Sequence, residues 1–279
     1  MNRIACVFLL SIASLSTCVF AASPVDLIFD RGKAIPYYGA PGAQFQNLGD
    51  AIRQSQLAEK MAGLVNSTVL LKSNIGIGFD LCGHANASFD KQKGTLSICY
   101  EFIDLIAKIA HDDPKVVAMP RESFAKMFDG VLGSVFLHEL GHAIIAVNGV
   151  PITGREEDVA DQFSTWYSLN FVDQKKVPMI FPAVWFWTRF ALLQDVQSMT
   201  EAQRKNAMSD EHSLSEQRTA NVACWAFGMD PQNNGTTAQL SGLSQHRAER
   251  CSAEYLQLEA AMKHDFVRYF KVKPLSGRW

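Results

Sequence analysis

Apolar and polar positions along this chain follow two different periods, and the change from one to the other comes near residue 100. Before it, short runs rich in branched and aromatic residues predict strands at 25–29, 69–72, 75–79 and 95–100, set apart by Gly, Pro and Asn. The run 31–43, which contains several Gly and Pro, reads as a loop. One helix interrupts this part: over 48–64, Ile52, Leu57, Met61 and Leu64 recur near helical spacing. Past residue 100 the helical period carries nearly to the end, with candidates at 101–110, 123–147, 155–171, 183–194, 214–227 and 245–270. Strands first and helices later predict an α+β layout, a small N-terminal β-sheet followed by a mostly helical C-terminal part. No internal repeat divides the chain. The polar run Asn233-Asn234-Gly235-Thr236-Thr237 predicts a surface loop too short to separate domains.

The first residues carry a pattern of another kind. Arg3 precedes an apolar stretch from Ile4 through Leu15, and Val19-Phe20-Ala21 places small or permissive residues where a signal peptidase reads. Residues 1–21 therefore read as a signal peptide and 22–279 as one mature domain, periplasmic or secreted. A second route would use Leu15-Ser16-Thr17-Cys18 as a lipoprotein box and leave an acylated Cys18, although Thr17 fits that box poorly. The most apolar later stretch, 179–193, is interrupted by Pro182, Thr188 and Arg189, so it reads as a buried helix or pocket wall. No integral membrane segment is expected in the mature chain.

Export changes what the cysteines mean. Cys6 and Cys18 leave with the signal, and Cys82, Cys99, Cys224 and Cys251 remain as an even set. Of the three pairings open to them, Cys82 with Cys99 and Cys224 with Cys251 join the cysteines closest in sequence; free buried thiols are the other reading. A formal net charge of −2 offers no excess of Lys or Arg, which sets nucleic acid aside as a partner.

The candidate chemistry lies in the helix expected at 123–147. His138-Glu139-Leu140-Gly141-His142 puts two imidazoles one turn apart, spaced to grip one zinc ion, with Glu139 placed as the base that activates water. Around them stand Val131, Val135, Phe136, Leu137, Leu140, Ala143, Ile144 and Ile145, so the helix is apolar on nearly every side and must be buried. Two imidazoles and a carboxylate inside such a helix cost several kcal/mol unless paired, and a bound cation is their natural partner.

A third protein ligand is needed, with the fourth position left for water. After a short loop, Arg155-Glu156-Glu157-Asp158-Val159-Ala160-Asp161 is acidic and then apolar in a helical frame. Glu157 and Asp161 are one turn apart, so Glu157 can be the ligand while Asp161 accepts a hydrogen bond from the distal nitrogen of His138 and fixes its tautomer. Glu156 has Ala160 at the equivalent place and lacks such a partner. Asp161 as the ligand is the alternative, and a solvated acidic helix start is the plain structural reading. The longer metzincin motif is absent, since Ile145 and Asn148 stand where its glycine and third histidine would be. The pattern resembles that of the gluzincins.

Over most of the mature sequence the chain resembles a bacterial family of secreted, zincin-like proteins described as metallopeptidases. Besides the two metal helices, the resemblance is carried by Cys82-Gly83-His84-Ala85-Asn86-Ala87 with Ile98-Cys99-Tyr100-Glu101, by Glu211-His212-Ser213-Leu214 with Gln217-Arg218, Asn221, Cys224, Gly228 and Pro231, and by Arg250-Cys251 with Glu254-Tyr255. The likeness to gluzincin peptidases implies that Asn86 and Ala87 lie on an edge strand that holds a substrate backbone by β-augmentation; a turn near a disulfide is the other reading of Asn86. It also implies that His212, oriented by Asp210 or Glu211, stabilises the oxyanion, whereas the same residues could simply cap the next helix. His84, His111, His246 and His264 read as surface or structural.

These residues predict a metallopeptidase with one Zn2+ per chain and a peptide or protein substrate. Two other readings stay open. One is a zinc-stabilised binding protein that cuts nothing, against which Glu139 argues. The other is a zinc amidase for a non-peptide bond such as a cell-wall cross-link, with Trp185-Phe186-Trp187 and Phe190 as pocket or core.

Overall fold

A computed structural model describes residues 30–194, 198–273 and 275. The signal peptide expected at 1–21 and the strand expected at 25–29 lie outside the described residues.

The chain opens on β1 (Ala34–Tyr38), then α1 (Gln46–Gln54) and α2 (Leu57–Thr68), followed by β2 (Ile75–Asp80), β3 (Ala87–Asp90) and β4 (Thr95–Cys99). Helices follow: α3 (Tyr100–His111), the single turn α4 (Pro114–Val117), α5 (Arg121–Asn148), α6 (Glu156–Phe171), α7 (Ile180–Gln194), α8 (Glu201–Ser209), α9 (Ser215–Met229), α10 (Pro231–Leu240) and α11 (Gln245–Asp265). This is the expected α+β arrangement, a small four-stranded sheet ahead of a mostly helical part. The strand order is β1-β2-β4-β3, with β1, β2 and β4 parallel and β3 antiparallel at the edge. Ile75, Ile77, Phe79, Leu96 and Ile98 fill the inner face and are fully buried.

Several elements depart from the sequence reading, each for a physical reason. The expected loop 31–43 contains β1, and Pro36 within it is tolerated because β1 is an edge strand. The single helix expected over 48–64 is two, broken at Gln56, whose φ of 53° is left-handed. Ile52 and Leu57 are five positions apart, off the helical repeat, and the break lets Ala58, Met61, Ala62 and Val65 turn inward together. Residues 69–72 are not a strand; Val69 makes one isolated bridge to Phe270. The final helix stops at Asp265 and gives way to a 3-10 turn at Val267–Tyr269. The polar run 233–237 is not a loop but the middle of α10, started by Pro231 at its first turn and by Asp230, whose carboxylate accepts from the Asn233 amide at 3.2 Å. The helix α8, with a Thr200–Gln203 capping box, was not foreshadowed by any apolar period, and none of its residues is buried.

Two disulfides tie the layers, Cys82–Cys99 across the end of β4 and Cys224–Cys251 between α9 and α11. Both are the nearest-neighbour pairs expected, and they point to an oxidising, extracytoplasmic compartment. Among the described helices, α5 alone is long and apolar enough to cross a membrane, yet 83% of its most apolar 18-residue stretch is buried inside the protein. Its apolar surface is spent on the core. Similarly, α7, the apolar stretch of the sequence, buries Ile180, Ala183, Val184, Trp185 and Phe186.

The placement of α5 against α6 sets up the site. Gly149 ends α5 in the left-handed region (φ 67°), and a six-residue connection returns the chain antiparallel as α6. At Gly141 a Cβ would sit 3.2 Å from the Ala160 Cα and 3.1 Å from the Phe163 ring, so glycine in the middle of the motif is what lets α6 lie so close.

Candidate metal centre

His138, Glu139 and His142 all come from the buried middle of α5, at 5%, 6% and 8% exposure. Glu157, in the first turn of α6, faces them. The His138 Nε2 to His142 Nε2 separation is 3.3 Å, His138 Nε2 to Glu157 Oε2 is 3.1 Å, and His142 Nε2 to Glu157 Oε1 is 3.3 Å. Two nitrogens and an oxygen, each about 2.0–2.1 Å from a tetrahedral zinc, lie about 3.3 Å apart. The donor set and its spacing thus fit that ion. Of the two candidate acids it is Glu157 that reaches the Nε2 side.

The far nitrogens are held by other acids. The Nδ1 of His138 meets Asp161 Oδ1 at 2.8 Å, and the Nδ1 of His142 meets Glu156 Oε1 at 2.8 Å. Glu156, which has Ala160 and not an acid one turn on, serves instead as the acid behind His142 and is itself paired with Lys91 Nζ, 2.8 Å away; no pattern in the sequence signalled that role. With each Nδ1–H donated to a carboxylate, both Nε2 lone pairs face each other and a third acceptor. Such a cluster of lone pairs is repulsive unless protons or a cation occupy its centre.

The electrostatics follow from that crowding. Burial works against a charged His138, but the Asp161 charge and the hydrogen bonds to Asp161 and Glu157 outweigh it and hold its pKa above the ordinary value. His142 is pushed up to about 9: burial again opposes, and the hydrogen bonds to Glu157 and Glu156 with the nearby acid charges prevail. Glu157 is held far below the carboxylate range, its burial overcome by hydrogen bonds from His138, His142 and His212. Glu139 is raised, chiefly by burial.

Arg218 from α9 completes the underside. Its Nη2 donates to Asp161 Oδ1 at 2.6 Å and its Nε to Oδ2 at 2.8 Å, while its guanidinium lies 4.0 Å from the Trp187 ring centroid. Both partners of this ion pair are buried. The sequence carried a signal for it: Arg218 lies one turn before Val222 on the buried face of α9, and an arginine there calls for a buried acid.

His212 lies in the loop between α8 and α9. Its Nε2 is 3.1 Å from Glu157 Oε2, and its Nδ1 is 3.1 Å from Asp210 Oδ1, so Asp210 rather than Glu211 is the acid beside it. Two ties from the start of α6 hold this loop. Arg155 donates to the carbonyls of Asp210 and Glu211 at 2.7 and 2.5 Å, and Ser213 Oγ donates to Asp158 at 2.7 Å. Sequence reasoning named neither tie.

Asn86 and Ala87 stand at the start of β3, the edge strand. They, Glu139 and His212 line both a recess under His138 and an open cleft of about 410 Å³ bounded by Lys91, Arg155 and Glu156. The four residues therefore sit where the two spaces meet. Among the described residues, the metal-type cluster of His138, His142 and Glu157 is a group of three; Glu157 joins Glu211 and His212 in a second cluster toward solvent. His84, His111, His246 and His264 are all exposed.

A family model described as "Putative metallopeptidase" matches residues 37–264 of the chain. Comparisons with curated proteins and with solved structures gave no match.

Proposed function

The chain belongs to that metallopeptidase family, and on this footing we propose that it is an exported, zinc-dependent peptidase with one Zn2+ per chain. The observation that carries the reading is the convergence of two Nε2 lone pairs and one carboxylate within 3.1–3.3 Å, each imidazole backed by its own acid. His138, His142 and Glu157 would hold the metal, with Asp161 and Glu156 fixing the two rings. A zinc ion there supplies a water of lowered pKa and polarises a carbonyl.

The chain's own groups divide the remaining work. Glu139, at the meeting of recess and cleft and raised by its burial, takes the proton from the attacking water and returns it to the leaving amine. The Asn86 carbonyl accepts from the Cys99 amide of β4 at 3.0 Å, so by the alternation of an antiparallel pair it is the backbone of Ala87 that faces outward at the edge of β3 for an extended peptide. His212, held between Asp210 and Glu157, donates toward the oxygen on which charge develops. A purely structural zinc site has no use for Glu139 and normally closes on a fourth protein ligand; the three-member cluster favours the catalytic reading.

The test is to incubate zinc-loaded protein with an unbiased peptide mixture and map cuts by mass spectrometry. Cuts that vanish on chelation and return with zinc support the proposal, and a zinc-loaded protein that cleaves nothing refutes it.

A further inference from the structure

The two ligand imidazoles are backed by the same sequence of charges, built in two different surroundings. Behind His138 stand Asp161 and then Arg218; behind His142 stand Glu156 and then Lys91. The first cation is buried, with 8% of its side chain exposed, whereas the second is 57% exposed. The acids differ as well. Asp161 is short, and both of its oxygens meet the Arg218 guanidinium, so its orientation is locked. Glu156 has one more rotatable bond, lies in the first turn of α6 and is partly exposed. Each of its oxygens has one partner: Oε1 meets the His142 Nδ1 and Oε2 the Lys91 Nζ, both at 2.8 Å. Lys91 is itself well placed for this. It is the first residue past β3, in the turn to β4, and Asp90 staples that turn: its Oδ1 accepts from the Gln92 and Lys93 amides at 2.9 and 3.0 Å, and its carbonyl accepts from the Gly94 amide at 2.8 Å. The turn thus delivers an ammonium to α6, beside the cleft that Lys91 and Glu156 both line.

We propose that Lys91 is a positioning residue for the metal centre: by holding the outer oxygen of Glu156 it fixes the carboxylate that orients the His142 ring, and because this link is exposed it makes zinc retention depend on ionic strength. The inference rests on the metal-binding part of the reading above and not on cleavage. An exposed ion pair contributes little to folding, so removing Lys91 acts on the metal and not on the stability of the fold. Salt acts unequally on the two arms. The Debye length falls from about 30 Å at 0.01 M to about 3 Å at 1 M, and a buried pair such as Asp161 with Arg218 is screened much less than an exposed one.

The experiment measures zinc dissociation constants by competition with a chelating dye, at about 0.01 M and about 1 M NaCl. At low salt Glu156→Gln should weaken zinc about 10–100-fold, the usual cost of losing an acid behind a ligand imidazole. Lys91→Met should weaken it about threefold or more, and Lys91→Arg, which keeps the charge, should restore the affinity of the unmodified protein. Lys91→Met added to Glu156→Gln should cost nothing further, since the carboxylate it acts through is gone. At high salt the gap between Lys91→Met and the unmodified protein should close, and the urea midpoint of metal-free Lys91→Met should stay where it was. Unchanged zinc affinity in Lys91→Met, a loss that Lys91→Arg does not recover, or a loss of the same size in the Glu156→Gln background overturns the inference. A protein that binds zinc and cleaves no peptide would refute the peptidase reading and leave this result standing; one that binds no zinc refutes both.

Discussion

Replacing Asp161 by Asn separates the two tasks that its carboxylate performs. One oxygen takes the His138 Nδ1 at 2.8 Å, and the pair together take Arg218 at 2.6 and 2.8 Å, all of it buried. Losing an acid behind a metal-binding imidazole lowers metal affinity about 10–100-fold, which is about 1.4–2.8 kcal/mol at 1.4 kcal/mol per decade. Leaving Arg218 buried without a counter-charge costs about 3–5 kcal/mol of folding stability. Asp161→Asn should therefore weaken zinc binding by one to two decades, read by competition with a chelating dye, and lower the urea midpoint of the metal-free protein. Adding Arg218→Met to it should recover most of the stability and none of the zinc affinity, since the unpaired charge is gone and the His138 partner is still missing. Unchanged zinc affinity in the single variant, or a double variant as unstable as the sum of the singles, would refute this account of Asp161. A loss far beyond 100-fold would make Asp161 the direct ligand in place of Glu157.

Other outcomes follow from the same geometry. His212→Ala should lower kcat about 100–1,000-fold, the usual cost of removing an oxyanion donor, and leave zinc content unchanged. Arg155→Ala, which releases the loop bearing His212, should lower kcat in the same direction with unchanged zinc affinity by dye competition. In metal-free protein His142 is raised to about 9 and His138 is raised as well, so zinc must displace the His142 proton and, in the lower part of the range, that of His138; apparent affinity should rise at least about tenfold per pH unit between pH 6 and 8, with proton release in calorimetry across buffers of different ionisation enthalpy. The sign for folding is opposite: the His142 contribution to the metal-free protein is complete below its unfolded value near 6.5 and is lost as pH rises through 9. Replacing Cys224 and Cys251 together by Ser opens a bridge with a sequence separation of 27 and should cost about 3.5 kcal/mol in urea unfolding on the chain-entropy scale.

What was legible in the sequence were the features that repeat within one element. His138 and His142 share a helix, and Glu157 and Asp161 share the next, so helical spacing alone put each pair on one face, and the motif itself named Glu139. The partners that arise only when elements meet were hidden. Glu156 reaches His142 because α6 lies at close range across Gly141, and Arg218 reaches Asp161 from α9, 57 residues away. In the fold, β1 was hidden by Pro36, whose effect depends on whether a strand is at the edge. The α10 helix was hidden because capping by Asp230 and Pro231, rather than an apolar stripe, starts it.

The central claim is that His138, His142 and Glu157 hold a metal on which Glu139 acts as the base. It is tested most directly by measuring zinc content and peptide cleavage on the same preparation of Glu139→Gln. The account predicts one zinc per chain, as in the unmodified protein, and cleavage reduced at least 100-fold. Cleavage near the unmodified rate in a zinc-loaded Glu139→Gln protein would contradict it.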